Sequence, residues 1–229
     1  MDLFLIVLIV LSLPAFLTVK RLIKISEAEN VVDWGASWLN RMDGLNRFFC
    51  HRYHGLPKEY VELPETGPAI IVANHISGLD PLMMAVICRR PVRFLVAKEE
   101  YNRFGFRWLF KAAGCIPVDR KRNPERALHE ALAVLTQGEV VGIFPHGGIQ
   151  WPTNLEGKIK GGAVRLAQRT KCPIYPVLFS GVRLKGFTIP ALFVRSKVVS
   201  SFYSPMFCDA ASYDECMEQL AQILNQNVD

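Results

Sequence analysis

The sequence predicts an α/β fold with a largely parallel central sheet flanked by helices. Short apolar runs alternate with longer helix-forming segments from Val61 onward, which is the pattern of successive strand–helix units. The chain has 229 residues, of which 50% are hydrophobic, enough to bury a substantial core in one domain.

Each element is predicted from an apolar run or a helical period bounded by turn residues. The candidate strands are Ala69–Ala73, Val92–Ala97, Cys115–Val118, Val140–Phe144, Ile174–Phe179 and Val194–Phe202. The candidate helices are Pro81–Cys88, Tyr101–Ala113, Pro124–Gln137, Gly161–Arg169 and Ser212–Asn225.

The first segment, Leu3–Leu17, is almost entirely apolar. A spanning helix needs about 20 apolar residues, so this segment either crosses a bilayer by including residues up to Val19 or lies in the interface. A buried core helix is the remaining alternative. The basic residues that follow predict that the rest of the chain is cytoplasmic; they are Lys20, Arg21 and Lys24.

A second helical segment, Glu27–Tyr53, interleaves tryptophan and phenylalanine with arginine. This composition suits a membrane interface and equally a helix packed on the following domain. The linker Gly55–Pro57 then breaks the pattern. We therefore predict a membrane-associated helical segment at residues 1–54 and an α/β domain at residues 55–229.

Positive charge is concentrated between Arg89 and Arg126, where eleven basic residues face four acidic ones. The net charge of this block, +7, exceeds the +6 of the whole chain. Such a block favours an anionic partner, although a solvated face with ion pairs gives the same composition. No nucleic-acid-binding motif accompanies it, so we expect no nucleic-acid partner.

The six cysteines are scattered and form no CxxC pair. This spacing argues against a zinc site or a disulfide framework and favours reduced thiols.

The strand Ala69–Ala73 leads into a polar turn that contains His75 and Asp80, and Pro81 then begins a helix. In open α/β sheets, ligands bind at this end of the strands. If the turn brings the two side chains together, the carboxylate orients the imidazole, and His75 becomes a candidate general base. The alternative is a surface histidine beside an aspartate that caps the helix.

Three later motifs offer sites for an anion. The run Gly114–Arg120 ends a strand by presenting Asp119 and Arg120, and arginine grips phosphate well. The run Phe144–Gly148 ends another strand in a glycine-rich turn, whose backbone N–H groups an anion can approach closely. Lys158 and Lys160 precede a predicted helix N-terminus.

The run Asn74–Asp80 resembles the NHxxxxD box of the glycerolipid acyltransferases. The later motifs are similar, in order and spacing, to further boxes of the lysophosphatidate acyltransferases, and the match covers roughly Ala69 to Val177. One box departs from that family, whose third motif is Phe-Pro-Glu-Gly-Thr-Arg-Ser. Here it is Phe144-Pro145-His146-Gly147-Gly148-Ile149-Gln150, without the acid and the arginine that help hold the acceptor.

The resemblance implies a membrane-bound O-acyltransferase that needs no metal or bound cofactor. Its donor would be an acyl carrier protein or coenzyme A thioester, and its acceptor a lysolipid hydroxyl, most simply that of 1-acyl-glycerol-3-phosphate. His75 and Asp80 would be catalytic. The resemblance assigns substrate binding to Asn74, Arg120, Pro145, His146, Gly147, Gly148, Lys158 and Lys160, with backbone N–H groups near Gly147 stabilising the oxyanion.

Two alternatives remain at the level of sequence. The atypical third motif favours a different acceptor, such as a lyso-aminolipid. Outside the enzyme class, the basic block is compatible with a lipid-binding protein of the membrane surface.

Overall fold

The computed structural model describes residues 3–151, 158–209 and 213–226, with backbone alone at residues 3–13 and 15. A six-stranded sheet forms its centre, with strand order β3-β2-β4-β1-β5-β6. The strands are β1 (Ala69–Ala73), β2 (Val92–Ala97), β3 (Ile116–Val118), β4 (Val140–Ile143), β5 (Ile174–Ser180) and β6 (Val199–Phe202). The first five are parallel and β6 pairs antiparallel with β5, which confirms the predicted α/β fold.

Helices cover both faces of the sheet. They are α1 (Leu3–Glu29), α2 (Ser37–Arg52), α3 (Asp80–Val86), α4 (Lys98–Tyr101), α5 (Arg107–Ala112), α6 (Pro124–Thr136), α7 (Gly162–Thr170), α8 (Pro190–Phe193) and α9 (Tyr213–Leu224). The alternation of side chains along β1 feeds both layers. Ile70 and Val72 join the core under α6, α7 and α9, whereas Ala69, Ile71 and Ala73 face the core on the α3 side.

Two element predictions were wrong, and the start of a third is not tested. The helix predicted at Tyr101–Ala113 is two short helices, because Gly105 adopts a positive φ of 83° and turns the chain between them. The strand predicted at Val194–Phe202 begins at Val199, and the Val198 N–H just before it donates to the His54 carbonyl rather than to a strand. The helix predicted from Ser212 is described from Tyr213 onward; Ser212 lies outside the described residues.

The segment predicted as one helical stretch at Glu27–Tyr53 is broken between α1 and α2. Gly35 has a φ of 81°, and its N–H donates to Asp33 Oδ1 over 2.9 Å. Helix α2 then packs on α3 through Arg47, which is fully buried. The Arg47 guanidinium donates to three carbonyl oxygens around the end of α3, those of Ala85, Val86 and Cys88.

The sequence left two interpretations of Glu27–Tyr53 open, a helix at a membrane interface or a helix packed on the following domain. The burial of Arg47 shows that α2 packs on the domain at this face. Within the described residues, no helix combines the length and apolar composition needed to cross a bilayer. The membrane-anchoring role of the N-terminal segment and the boundary at residues 54 and 55 stay predictions.

One expectation about the cysteines was wrong. Cys208 and Cys216 form a disulfide, with their Cα atoms 6.1 Å apart. The chain turns back after β6 so that the first turn of α9 meets the residues before it, a contact that spacing along the sequence does not reveal. Cys50, Cys88, Cys115 and Cys172 are buried free thiols.

Candidate active site

His75 and Asp80 meet in the turn between β1 and α3. His75 Nδ1 lies 2.9 Å from Asp80 Oδ2. The Asp80 side chain is fully buried, while the His75 side chain keeps 16% of its surface exposed. A carboxylate only accepts, so Nδ1–H is the donor, and in the neutral ring this tautomer leaves Nε2 free to accept a proton.

The Asp80 carboxylate is fixed by the turn that precedes it. Its Oδ2 atom also accepts from the N–H groups of Ile76 and Ser77, over 2.6 and 2.8 Å. Its Oδ1 atom accepts from the Ser77 hydroxyl over 2.7 Å. Four hydrogen bonds, including that of His75, leave the carboxylate one orientation, so the imidazole it holds is oriented as well.

The alternative reading of Asp80 as a helix cap does not describe this geometry. Helix α3 begins at Asp80, its N-cap is Leu79, and no side chain caps it by a hydrogen bond. The helix prediction that began at Pro81 was late by one residue. The Asp80 oxygens accept hydrogen bonds from the preceding turn rather than from the N–H groups of α3.

The third motif lies directly beside His75 because β4 is the neighbour of β1 in the sheet. The His75 ring stacks on Phe144 with centroids 4.4 Å apart and planes at 26°. The Gln150 N–H donates to the His75 carbonyl over 2.7 Å. The sheet thus brings together two motifs that are nearly 70 residues apart in the sequence.

The Asn74 side chain is hydrogen-bonded to the neighbouring strand. Its Nδ2 donates to the Phe179 carbonyl over 2.9 Å, and its Oδ1 accepts from the Phe179 N–H over 2.8 Å. These bonds tie the end of β1 to β5. The structure therefore gives Asn74 a positioning task beside His75, and the predicted substrate contact stays a prediction.

The glycine turn of the third motif is closed by its own backbone. The Gly147 N–H donates to the Phe144 carbonyl over 3.0 Å, and Gly147 has a φ of 77°. That N–H is used by the turn, and the oxyanion role of backbone N–H groups near Gly147 stays a prediction. Lys160 folds across the turn: its N–H donates to the Pro145 carbonyl over 2.9 Å. Its side chain lies where a Gly147 Cβ would be, with Nζ 2.6 Å from that position.

His146 points toward the C-terminal helix. Its Nε2 lies 3.1 Å from Asn225 Oδ1, and its buried Nδ1 has no hydrogen-bond partner among the described residues. Burial lowers the pKa of His146, and the positive charge of a protonated His75 lowers it further. The ring is therefore neutral at pH 7. Asn225 was missed by sequence reasoning because 79 residues separate it from His146.

The basic residues predicted to bind phosphate lie along the same edge of the sheet. Arg120 is exposed just beyond β3, and Lys158 is exposed before α7. With strands about 4.8 Å apart, the end of β3 lies about 14 Å from the end of β1, so Arg120 is outside the catalytic turn. Arg120 and Lys158 are not in contact with His75 or Asp80 in any hydrogen bond of the described residues.

Part of the basic block between Arg89 and Arg126 forms a second group of cations at this edge. Lys98 Nζ donates to Asp119 Oδ2 over 2.8 Å, and this bond, with that of the Arg122 N–H, lowers the pKa of Asp119 to about 2. A surface cavity of about 320 Å³ opens here. Its lining is Lys98, Glu99, Asn102, Asp119, Lys121 and Arg122. Lys98 directly follows β2, and ligands of open α/β sheets bind at this end of the strands. That position could have marked Lys98 as a candidate site residue.

Among the described residues, no three His, Cys, Asp or Glu side chains lie together in a way that would hold a metal ion. The prediction of a mechanism without metal or cofactor stays a prediction.

The sequence profile described as Acyltransferase matches residues 50–180, more than half of the chain, so the chain belongs to this family.

Individual relatives carry a more specific name. The chain is 28% identical over 120 residues to the 1-acyl-sn-glycerol-3-phosphate acyltransferase of Bacillus subtilis, covering 52% of this chain and 59% of that protein. It is 38% identical over 128 residues to 1-acyl-sn-glycerol-3-phosphate acyltransferase alpha of Mus musculus, covering 51% and 42%. The chain thus spans about half the length of the relatives it matches.

A solved structure has the same fold. The crystal structure of the 1-acyl-sn-glycerophosphate acyltransferase PlsC from Thermotoga maritima superimposes with a TM-score of 0.65 at 20% identity. The superposition covers 85% of this chain and 80% of that one.

Proposed function

We propose that this chain transfers a fatty acyl group from a thioester to the free hydroxyl of 1-acyl-glycerol-3-phosphate, giving phosphatidic acid. The observation that carries the proposal is the His75–Asp80 pair, with its carboxylate fixed by three further hydrogen bonds. The relatives named as acyltransferases for this acceptor support it.

The chemistry follows from the orientation of one ring. Asp80 holds the Nδ1–H of His75, so Nε2 takes the proton of the acceptor hydroxyl as its oxygen attacks the thioester carbonyl carbon. The tetrahedral intermediate then collapses, the C–S bond breaks, and the thiolate receives the proton from His75. The products are an ester and a free thiol, and no acyl-enzyme is formed.

The acceptor phosphate has candidate partners along the basic edge. We assign it to Lys160, which lies against the third-motif turn beside His75, and to Arg120 and Lys158 farther out. Charge-assisted bonds of this kind orient the acceptor so that its hydroxyl meets Nε2. Whether the thioester is carried by acyl carrier protein or by coenzyme A is a question for the assay.

We further propose that the protein works at a membrane with its α/β domain on the cytoplasmic side. The apolar run at residues 3–19, followed by three basic residues, supports this placement. The lysolipid acceptor itself resides in or beside a bilayer.

The test is an acyl-transfer assay on the full chain with a radiolabelled acyl donor, supplied as the coenzyme A or the carrier-protein thioester. We expect labelled phosphatidic acid with lysophosphatidate and at least about a hundredfold slower formation of it with His75→Ala. Product from a lyso-aminolipid alone would show that the acceptor belongs to that other class. The neutral His146 in place of a family glutamate favours this alternative. Absence of product with every lysolipid and both donors would contradict the proposed activity.

A further inference from the structure

Residues 183–198 form a segment that exposes large apolar side chains next to the catalytic turn. Phe193 is the most exposed of them, at 73%. Phe187 also packs edge-on against the exposed ring of Trp151, with centroids 5.3 Å apart. Soluble surfaces rarely group apolar side chains in this way unless the surface binds something. The exposed apolar residues of the segment are Leu184, Phe187, Ile189 and Phe193.

One end of the segment is bonded to the catalytic turn. The Gly186 N–H donates to the Ile76 carbonyl over 2.7 Å, and the Gly78 N–H donates to the Phe187 carbonyl over 3.0 Å. The contact is so close that a Cβ on Gly78 would lie 2.4 Å from the Thr188 oxygen. The apolar side chains are therefore held at a fixed place beside His75.

The other end of the segment rests on the end of α2. The Tyr53 hydroxyl donates to the Phe193 carbonyl, and the Val198 N–H donates to the His54 carbonyl over 3.0 Å. Helix α2 packs in turn along α1, which carries the apolar N-terminal run. The segment thus links the N-terminal helices with the catalytic turn.

The charge of the segment selects its partner. Arg183, Arg195 and Lys197 are exposed, Lys185 is a fourth basic residue, and the sequence has no acidic residue from Gly181 to Cys208. Exposed aromatic and aliphatic side chains interleaved with cations suit the surface of an anionic bilayer. A protein partner of mixed charge would be a poorer match for a segment whose charged residues are all basic.

We propose that residues 183–198 dock on an anionic lipid bilayer, with Phe193 and Ile189 entering the interface, and so place the catalytic turn at the level of the lipid headgroups. This inference deepens the proposed function and rests on it for its purpose, since a docked turn receives a lysolipid directly from the bilayer. The docking itself is measured without any acyl donor.

The experiment uses the full chain with an environment-sensitive fluorophore, nitrobenzoxadiazole, on Phe193→Cys. The native free thiols are buried, and burial raises the pKa of Cys50 to about 12 and of Cys115 to about 11, so the introduced thiol reacts first. A matched label on Arg169→Cys reports on α7, which packs on the opposite face of the sheet. A third label on Phe104→Cys reports on the exposed turn between α4 and α5.

With vesicles of phosphatidylglycerol, we expect the Phe193 label to shift to the blue and to be quenched by spin-labelled lipid. Vesicles of phosphatidylcholine alone should give a much smaller response, and the Arg169 label should not respond. A Phe193 label that stays in water while the protein sediments with the anionic vesicles overturns the proposal. A response from the Phe104 label alone also overturns it, because the turn at residues 103–106 would then be the docking surface.

A second readout separates docking from catalysis. Phe193→Ser should keep its turnover of a short-chain lysophosphatidate dispersed in water. It should lose about tenfold in turnover of the same acceptor class embedded in anionic vesicles, the effect of one inserted phenylalanine. Equal loss with both acceptors overturns the docking role. If no variant has any turnover, the proposed activity fails, and the label experiment still decides the docking.

Discussion

The Ser77 hydroxyl connects two parts of the catalytic turn. It donates to Asp80 Oδ1 over 2.7 Å and accepts from the Leu79 N–H over 3.1 Å. Ser77 touches no reacting atom, so its influence on the reaction passes through the orientation of Asp80. A group of this kind typically changes activity by about 10–100-fold.

We therefore predict that Ser77→Ala lowers kcat about tenfold and leaves KM for the acceptor nearly unchanged. Steady-state kinetics of acyl transfer would measure both constants. The matched control is Ser200→Ala, since the Ser200 hydroxyl is buried and has no hydrogen-bond partner among the described residues. An unchanged kcat for Ser77→Ala would show that the remaining bonds alone orient Asp80.

At the residue scale, the sequence predicts contacts within one motif better than contacts between motifs. The spacing of His75 and Asp80 indicated their pairing, because five residues of turn suffice to bring them together. The bonds of Asn74 to Phe179 and of His146 to Asn225 depend on strand order and on the docking of α9. The composition of Glu27–Tyr53 left a membrane interface and a packed helix equally open, and the structure buries Arg47.

Helix α2 contains a buried ion pair, Arg47 with Asp43, whose side chains are 1% and 3% exposed. The same guanidinium serves the carbonyl groups at the end of α3. Removing the arginine leaves a buried carboxylate whose remaining partner among the described residues is the Asn30 amide, and it takes the guanidinium away from three carbonyl oxygens. Loss of one member of a buried pair typically costs about 3–5 kcal/mol.

Arg47→Met should accordingly lower the free energy of unfolding by about 3–5 kcal/mol, measured by urea denaturation. Arg41→Met is the matched control, because Arg41 pairs with Glu27 on the surface and should cost at most about 1 kcal/mol. Equal effects of the two substitutions would mean that Arg47 does not hold the helices together.

Gly78 sets the distance between the catalytic turn and the segment of residues 183–198. A methyl group at Gly78 would lie 2.4 Å from the Thr188 carbonyl oxygen, so the turn and the segment would have to move apart. We predict that Gly78→Ala lowers both the stability and the acyl-transfer rate. Gly148→Ala is the control for stability, since nothing lies within 4 Å of the added carbon. A Gly78→Ala protein as stable as the control would show that the segment moves freely.

Element boundaries could be predicted where a local signal exists. Pro124 began α6 as expected, and Asn123 caps it by accepting from the Arg126 N–H over 3.1 Å. The break at Gly105 was missed because a glycine within a helical pattern does not show whether its φ is positive. Helix α8 was missed because a single turn carries too few residues for a period.

On the scale of the whole molecule, alternation of strands and helices predicted a parallel sheet, but the strand order came only with the structure. The order decides the chemistry, since placing β4 beside β1 brings Phe144 onto His75. No local pattern in the sequence encodes which strands are neighbours. The motifs could be predicted to form one site only because they resemble those of a known family.

Buried histidines make the stability of the whole molecule depend on pH. Burial lowers the pKa of His54 and of His146 in the folded protein. In the unfolded chain the histidine pKa is about 6.5, so on acidification the unfolded chain binds protons at a higher pH than the folded protein does. The stabilisation is therefore complete above about pH 6.5 and is lost as the pH falls toward the folded-state values.

We expect the free energy of unfolding to decrease as the pH falls from about 6.5 to 5.5, measured by urea denaturation at each pH. His54→Gln should show a shallower decrease, because one of the histidines that protonates on unfolding has been removed. Stability that stays constant or rises on acidification would contradict this assignment.

The central claim is that Asp80 orients His75 to take a proton from a lipid hydroxyl. The most direct test is the rate of acyl transfer to lysophosphatidate by His75→Ala, with its fold checked by circular dichroism. We predict a folded protein whose rate falls by a factor of about 10²–10⁴ or more, the usual contribution of a general base. A folded His75→Ala protein that transfers the acyl group at the rate of the unchanged chain would contradict the account.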